Sequence, residues 1–405
     1  MKRFTNKLLQ NTLTAKVLNA PYTQINSYPS MRIGLLLDDT LDSTDGVQQY
    51  VLLLGRWLSS RGHEVHYLVG QTTRTQPATI HSLSKNVRVS FNGNTMSVPL
   101  PANTRLLQSL AADLSLDVLH VQVPYSPLLA GRLIRMMPST TAVVGTFHIL
   151  AYSQVSTWAN RVLRIINRTT GRRFDAMMAT SEPAQQFARH IYGYDARVVS
   201  NPVDISRFCG VSNNTAGTHI VFLGRLVERK GALQLLKAIA YMRQHSLYSD
   251  TFTVTVAGKG PRLETLQAFA QHHDLHNYVL FAGFIAEADK AMLLAGADIA
   301  VFPSVSGESF GISVVEALAS ARGVVLAGDN PGYKSVMSGL AQYEDQLFDP
   351  NNTAAFAQKI VYWLSRPSAR RAAAIRQQGY ALTFDINRIG ELVEATYHQA
   401  LRRRR

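Results

Sequence analysis

The chain reads as an α/β protein of two halves, each a largely parallel sheet flanked by helices. Three observations lead there. Runs such as Ile33-Gly34-Leu35-Leu36-Leu37 and Ile220-Val221-Phe222-Leu223 are continuously apolar rather than alternating, as in strands buried on both faces. Each run closes on a glycine, a proline or a polar residue and gives way to helical spacing. The 405 residues suffice for two sizeable domains, and no short-period repeat of the solenoid kind is present.

In the first half, Met31–Leu37 is a strand and Asp38–Asp45 a polar loop leading into Gly46. Val47–Arg61 is a helix with Val51, Leu54 and Leu58 on one face, stopped by Gly62. His63–Val69 is the next strand, which completes a βαβ unit. Asp117–Gln122, Ala142–His148 and Asp175–Ser181 follow as strands that end in polar groups. Asn201-Pro202-Val203-Asp204 marks a turn, and Ser212–Thr215 a polar linker.

The second half opens near His219 with the strand Ile220–Leu223, the loop Gly224–Gly231 and a helical Leu233–Ala240. Val254–Ala257 and Val279–Phe284 are further strands closed by glycine turns. Asp298–Pro303 is a strand ended by its proline, and Val314–Ala319 is helix-forming. Glu308 and Glu316, with seven residues between them in E-x7-E, flank the start of that helix. Strand, glycine turn, helix puts Glu308 at the carboxyl end of a strand, where open α/β sheets bind ligands. The amides at the helix start favour an anionic group there. Taken alone, E-x7-E equally describes a solvated helix start with two surface glutamates. Arg225 and Lys230 offer a forked and a point charge for a diphosphate, although loop cations are usually solvated. Arg388–Leu401 is a closing helix.

Composition narrows the class. Hydrophobic residues make up 46% and charged ones 17%, as in a globular protein and not a disordered one. The net charge of +14 and pI of about 9.9 suit a partner that bears phosphates: nucleic acid, anionic lipid or sugar nucleotide. A single cysteine, Cys209, excludes an intrachain disulfide and any cysteine-rich metal site. No apolar run reaches the length of a membrane span. Residues 1–30 read as a basic extension with Lys2, Arg3, Lys7 and Lys16, lacking the apolar core of a secretory signal. An amphipathic helix over Phe4–Leu18 and a transit peptide stay open alternatives. Trp158–Arg173 reads as a basic amphipathic helix, with Arg161, Arg164, Arg168 and Arg172 at helical spacing, fit for an anionic membrane or for ordinary packing on the sheet. Arg402–Arg405 adds mobile positive charge.

The pair G-R-L-x-x-x-K-G (Gly224–Gly231) and G-E-S-F-G-x-x-x-x-E (Gly307–Glu316) resembles the retaining glycosyltransferases of family 4, over about residues 31 to 400. Asp45-Gly46-Val47-Gln48, Thr146-Phe147-His148 and Gly307–Ile312 make it most similar to the phosphatidylinositol α-mannosyltransferases. The resemblance implies a GT-B fold, two Rossmann-like domains facing across a cleft: 31–210 for the acceptor, 211–384 for the nucleotide sugar, and 385–405 crossing back with a basic tail. It implies that Glu308 contacts the donor sugar and Glu316 the ribose hydroxyls. Arg225 and Lys230 would hold the diphosphate, Gly46 would let backbone approach it, and amides near Phe310, Gly311 and Ile312 would bind sugar or phosphate oxygens. His148 would touch sugar and acceptor, orienting the attacking hydroxyl without being a strong base. Gln48 would contact the acceptor, and Lys290 would stand near the base rim.

The expected reaction is transfer of a hexose, mannose from GDP-mannose, to a lipid-linked acceptor such as phosphatidylinositol, in the cytoplasm at the inner face of the plasma membrane. A UDP-hexose-dependent glycolipid synthase and a non-catalytic sugar-nucleotide-binding protein are the alternatives. No tightly bound cofactor is expected; Mg²⁺ stays open, although Asp38-Asp39 is not a D-x-D site. A nucleotide-binding G-x-G-x-x-G is missing, since Gly258-Lys259-Gly260-Pro261 lacks its third glycine. Nucleic acid is not an expected partner, because the basic stretch interleaves a single aromatic, Trp158. Asp45 replaces a second glycine common in those mannosyltransferases, and the residues after His148 lack their lysine, which puts inositol phosphate recognition in doubt.

Overall fold

The computed structural model describes residues 29–43, 45–77, 79–91, 94–122, 124–148, 163–213 and 217–404. The basic extension up to residue 28, the loop that follows His148, and the start of the Trp158–Arg173 stretch with Arg161 lie outside them. Arg32–Arg405 fold together as one unit.

The first lobe contains β1 (Arg32–Leu37), β2 (Glu64–Val69), β3 (Ile80–Ser82), the hairpin β4 (Asn86–Phe91) and β5 (Asn94–Pro99), then β6 (Val118–Val121), β7 (Ala142–Phe147), β8 (Ala176–Ala179) and β9 (Arg197–Val198). Its sheet runs β3-β2-β1-β6-β7-β8-β9 with every pair parallel. The second lobe contains β10 (Thr218–Leu223), β11 (Phe252–Ala257), β12 (Val279–Gly283), β13 (Ile299–Phe302), β14 (Val324–Gly328) and β15 (Leu347–Phe348). They order β12-β11-β10-β13-β14-β15, again all parallel.

The apolar strands are buried on both faces because helices cover both. In the second lobe Val221, Ala300, Val314 and Leu318 share one core, and Ile220, Phe222, Leu235 and Phe356 the other. Strand order reverses between β1 and β6 and between β10 and β13. Loops leaving the carboxyl ends of such strands open a crevice, and the candidate site is built there.

The chain passes between the lobes twice, side by side: Val203 N–H donates to Phe384 O (2.9 Å) and Ile386 N–H to Val203 O (3.0 Å). The closing helix, Ile386–Arg402, then packs on the first lobe. Trp57 Nε1 donates to Asn387 Oδ1 (3.0 Å), His63 Nε2 lies 3.0 Å from Glu394 Oε1, and Arg404 Nε lies 2.7 Å from Asp175 Oδ1. A side chain at Gly390 would stand 2.6 Å from the Trp57 ring, so the helix can sit this close only without one.

Two expectations change. Residues 163–173 are not one continuous helix: 163–166 are helical, Asn167 breaks the run, and Arg168–Gly171 form a separate turn. Buried Asn167 donates Nδ2 to Tyr125 O (2.6 Å) and Leu163 O (3.1 Å), a side-chain bond that competes with helical continuation. The β4–β5 hairpin was not expected, although Asn92-Gly93 in the sequence is a hairpin turn signal.

His120 joins the first sheet to the closing helix. Its Nδ1 lies 2.7 Å from the Tyr397 hydroxyl and its Nε2 2.7 Å from Thr146 Oγ1. Burial pushes its pKa down from 6.5 to about 3, with the neighbouring His148 acting in the same direction. The folded ring is therefore neutral where the unfolded one takes up a proton. Stability should be full above the unfolded pKa and fall as pH drops toward 3, at about 1.4 kcal/mol per pH unit for this group. Urea midpoints between about pH 7 and pH 5 measure that slope. His120→Asn should lower the slope by about that amount while His148, likewise buried, keeps its own share, and an unchanged slope would refute the assignment.

Candidate functional site

The second lobe's wall begins at the end of β13. Pro303 stops the strand, and residues 303–311 loop back to the helix Ile312–Ser320. Gly311 has φ 155°, and a Cβ there would meet the Tyr333 ring at 2.8 Å, so the turn requires glycine. The loop after β10 approaches as closely: Gly231, at φ 76°, would put a Cβ 1.8 Å from Pro303 O. These contacts bring Arg229 and Lys230 against Glu308.

Glu308 Oε1 accepts from Arg229 Nη1 (2.6 Å), Lys230 Nζ (2.9 Å) and Ser304 Oγ (2.9 Å). Burial alone would raise this carboxyl's pKa. The Lys230 and Arg229 charges overcome that and hold it below its ordinary range. A buried anion so compensated keeps its charge at neutral pH.

Glu316 lies inside the helix, buried, with Oε1 3.5 Å from Lys290 Nζ. Lys290 is 2.5 Å from Glu287 Oε1. Burial raises the Glu316 pKa against the pull of Lys290, and Glu287 adds to the rise. The other oxygen, Oε2, is buried without a hydrogen-bond partner among the described residues.

The first lobe supplies the facing wall. Gly46 opens the helix Gly46–Ser60, and a Cβ on it would lie 3.2 Å from Ile312 Cδ1. Arg225 stands 3.8 Å from Asp45 Oδ1, both half-exposed. His148 follows β7; its carbonyl accepts from Ser309 Oγ (2.6 Å), and its Nε2 lies 2.8 Å from Gln122 Oε1. Burial pushes the His148 pKa down to about 3, with Asn201 pulling the other way.

Between these walls lies a cavity of about 510 Å³. It is lined by Gly46, His148, Arg225, Lys230, Glu308, Phe310, Gly311 and Ile312, all expected from sequence, and Glu316 borders the smaller cavity beside it. Gln48, expected to contact the acceptor, stands apart from these. It is buried, it donates Nε2 to Asp39 Oδ2 (3.3 Å) and Thr40 O (3.1 Å), and it does not line the cavity. Gln49 does, donating to Glu287 Oε1 (3.3 Å) across the cleft. Lys290 lines the cavity, paired with two carboxylates.

Sequence reasoning missed Arg229, Ser304, Glu287, Ser309 and Asn201. Arg229 falls on a free position of the G-R-L-x-x-x-K-G pattern, so only its adjacency to Lys230 hinted at it. Asp38, at the end of β1, accepts from Ala130 N (2.7 Å), and burial pushes its pKa up to about 6. Among the described residues no group of three His, Cys, Asp or Glu side chains stands where it could hold a metal ion, and no helix is long and apolar enough to cross a membrane.

Comparison with known proteins agrees with this architecture. The family model described as Glycosyltransferase Family 4 matches residues 44–207, and Glycosyl transferases group 1 matches 211–381. The chain is 30% identical over 315 residues to a phosphatidyl-myo-inositol mannosyltransferase of Mycolicibacterium smegmatis, covering 76% of this chain and 78% of that one. It is 29% identical over 384 residues to the enzyme of the same name from Propionibacterium freudenreichii, covering 91% and 94%. Among solved structures, sucrose-phosphate synthase from Thermosynechococcus elongatus superposes with a TM-score of 0.70 at 18% identity, covering 91% of this chain and 98% of that one. HepE from Anabaena in complex with UDP gives 0.69 at 17% identity, covering 90% and 99%. These likenesses span both lobes, and from them the chain belongs to the family 4 glycosyltransferases of the GT-B fold and is a hexosyltransferase.

Proposed function

We propose that this chain transfers mannose from GDP-mannose, with retention, to a lipid-linked acceptor such as phosphatidylinositol, at the inner face of the plasma membrane. The observation that carries the reading is the Glu308 carboxylate held against Arg229 and Lys230 on one cavity wall, with Gly46 and His148 on the other. A sugar nucleotide needs those parts. Cations and helix-start amides beside Phe310, Gly311 and Ile312 meet the charge that develops on the departing diphosphate. Lys230 and Arg229, neutralised by Glu308 in this state, would turn toward that charge, and Arg225 would join them from the rim. Glu308 then accepts from sugar hydroxyls. The unpartnered Glu316 Oε2 suits the ribose hydroxyls. A neutral His148 orients the attacking hydroxyl rather than removing its proton, which agrees with same-face transfer.

The names of the mannosyltransferase relatives support the lipid and the mannose. One observation favours a second reading: the chain is also 23% identical over 342 residues to an alpha-monoglucosyldiacylglycerol synthase of Streptococcus pneumoniae, covering 76% of this chain and 73% of that one. A UDP-hexose donor and a glycerolipid acceptor would follow. Incubation with a panel of nucleotide sugars and extracted lipids separates the two. Transfer from GDP-mannose supports the first, transfer from UDP-glucose the second, and none from any donor would overturn both.

The membrane part rests on the described end of the basic stretch. Ile165 is 74% and Ile166 55% exposed, beside exposed Arg164, Arg168 and Arg172. Apolar side chains within a basic cluster suit insertion at an anionic surface better than packing on the sheet.

Glu316→Ala should weaken nucleotide binding by about tenfold, the loss of a hydrogen bond to a charged group; calorimetry with GDP and UDP reads it, and unchanged affinity would remove Glu316 from the ribose site. Lys230→Ala should slow transfer more than Arg225→Ala, because it also strips a charge from buried Glu308. Equal, normal turnover in both would mean the diphosphate lies elsewhere. Ile165→Asn with Ile166→Asn, and separately Arg164, Arg168 and Arg172 to Gln, should each reduce co-sedimentation with anionic vesicles, the second losing its effect at high salt. Binding equal to the parent in both would exclude this surface.

A further inference from the structure

His148 carries a second, unassigned partner. Gln122, which follows β6, is 1% exposed, and its Oε1 lies 2.8 Å from His148 Nε2. An amide oxygen only accepts, so at this distance the ring nitrogen must carry the proton. A neutral imidazole has one N–H, so Nδ1 keeps its lone pair, with the Asn201 side chain the ring's other hydrogen-bonding neighbour. The Gln122 amide nitrogen is buried without a hydrogen-bond partner among the described residues, so nothing else in the described chain claims this amide. The Gln122 backbone is itself fixed, its N–H donating to Leu36 O (2.9 Å) across the sheet. Titratable groups about the ring include His120, on β6, and Tyr50, whose ring meets His148 edge-on at 4.9 Å between centroids. From the cleft side Ser309 Oγ donates to the His148 carbonyl (2.6 Å).

We propose that Gln122 is a positioning residue for the transfer: its carbonyl holds His148 in the Nε2–H tautomer and so leaves Nδ1 as the ring nitrogen that can accept from the incoming hydroxyl. This rests on the reading of His148 as part of the transfer site. A ring free to exchange tautomers would offer a donor to the hydroxyl for part of the time and lose that orientation. With Gln122 in place, the ring accepts only.

The test uses the full chain labelled with ¹⁵N-histidine, the His148 ring being identified by its loss in His148→Ala. The parent should show a protonated Nε2 and an unprotonated Nδ1. Gln122→Met should mix the tautomers and lower kcat about tenfold, the worth of one hydrogen bond to the attacking hydroxyl, with the donor KM within about twofold of the parent. Gln122→Glu keeps an acceptor at the same place. It should restore the Nε2–H form and most of kcat at neutral pH, while shifting the acid limb of the pH profile upward, because a carboxylate favours the imidazolium. A protonated Nδ1 in the parent would overturn the proposal, as would a Gln122→Met enzyme with parental kcat. If Gln122→Met fails to fold, the parent spectrum and the Gln122→Glu profile still decide. Absence of hexose transfer by the parent from every nucleotide sugar would overturn the functional reading beneath it, a failure distinct from the wrong tautomer.

Discussion

Three donors converge on one carboxylate oxygen, Glu308 Oε1, and the loops of the second lobe are arranged around that convergence. Arg229 and Lys230 come from the loop after β10, Ser304 and Glu308 from the loop after β13. Neither loop could hold its charges alone. An isolated buried carboxylate would take up a proton, and two adjacent cations would repel each other. Together they balance, and the close backbone approach at Gly231 makes the balance possible. On the proposed reading, a sugar diphosphate would recruit the same parts that stabilise the loops, exchanging one set of ionic partners for another.

The facing wall is tied to this one by a few polar contacts rather than by a shared core. Ser309 reaches the His148 carbonyl, Gln49 reaches Glu287, and Asp45 stands near Arg225. All three are hydrogen bonds or ion pairs at partly exposed positions, individually weak in water. The firmer attachments are the paired crossings at Val203 and Phe384–Ile386, which are backbone-bonded, and the closing helix, which is packed against Trp57.

The sheets were legible because parallel strands buried on both faces leave continuous apolar runs, and the glycine turns marked where each run ended. Within the site, Glu308, Lys230, Gly311 and Ile312 were reachable because their spacing is fixed by one strand–turn–helix unit. What escaped depended on contacts between units. Arg229 belongs to Glu308 only because Gly231 lets two loops touch. Gln48 and Gln49 are chemically identical neighbours, and a rotation of about 100° per residue sends one into the lobe and the other to the cleft. No local signal distinguishes them. Asn167 was visible, but its helix-breaking bond runs to Tyr125 O, far away in sequence.

The crossover helix also governs the order in which the molecule can be completed. Tyr397, the partner of His120, and Glu394, the partner of His63, are synthesised after the whole second lobe. A nascent chain that has already emerged as far as β9 therefore holds buried-to-be histidines that still lack these two partners, and the face that will receive Ile389 and Val393 lies open to water. The first lobe begins folding first and finishes last, so its apolar seam stays unsealed on the ribosome for the time taken to make roughly half the protein, the interval in which exposed sheet-covering surfaces are most prone to wrong partners.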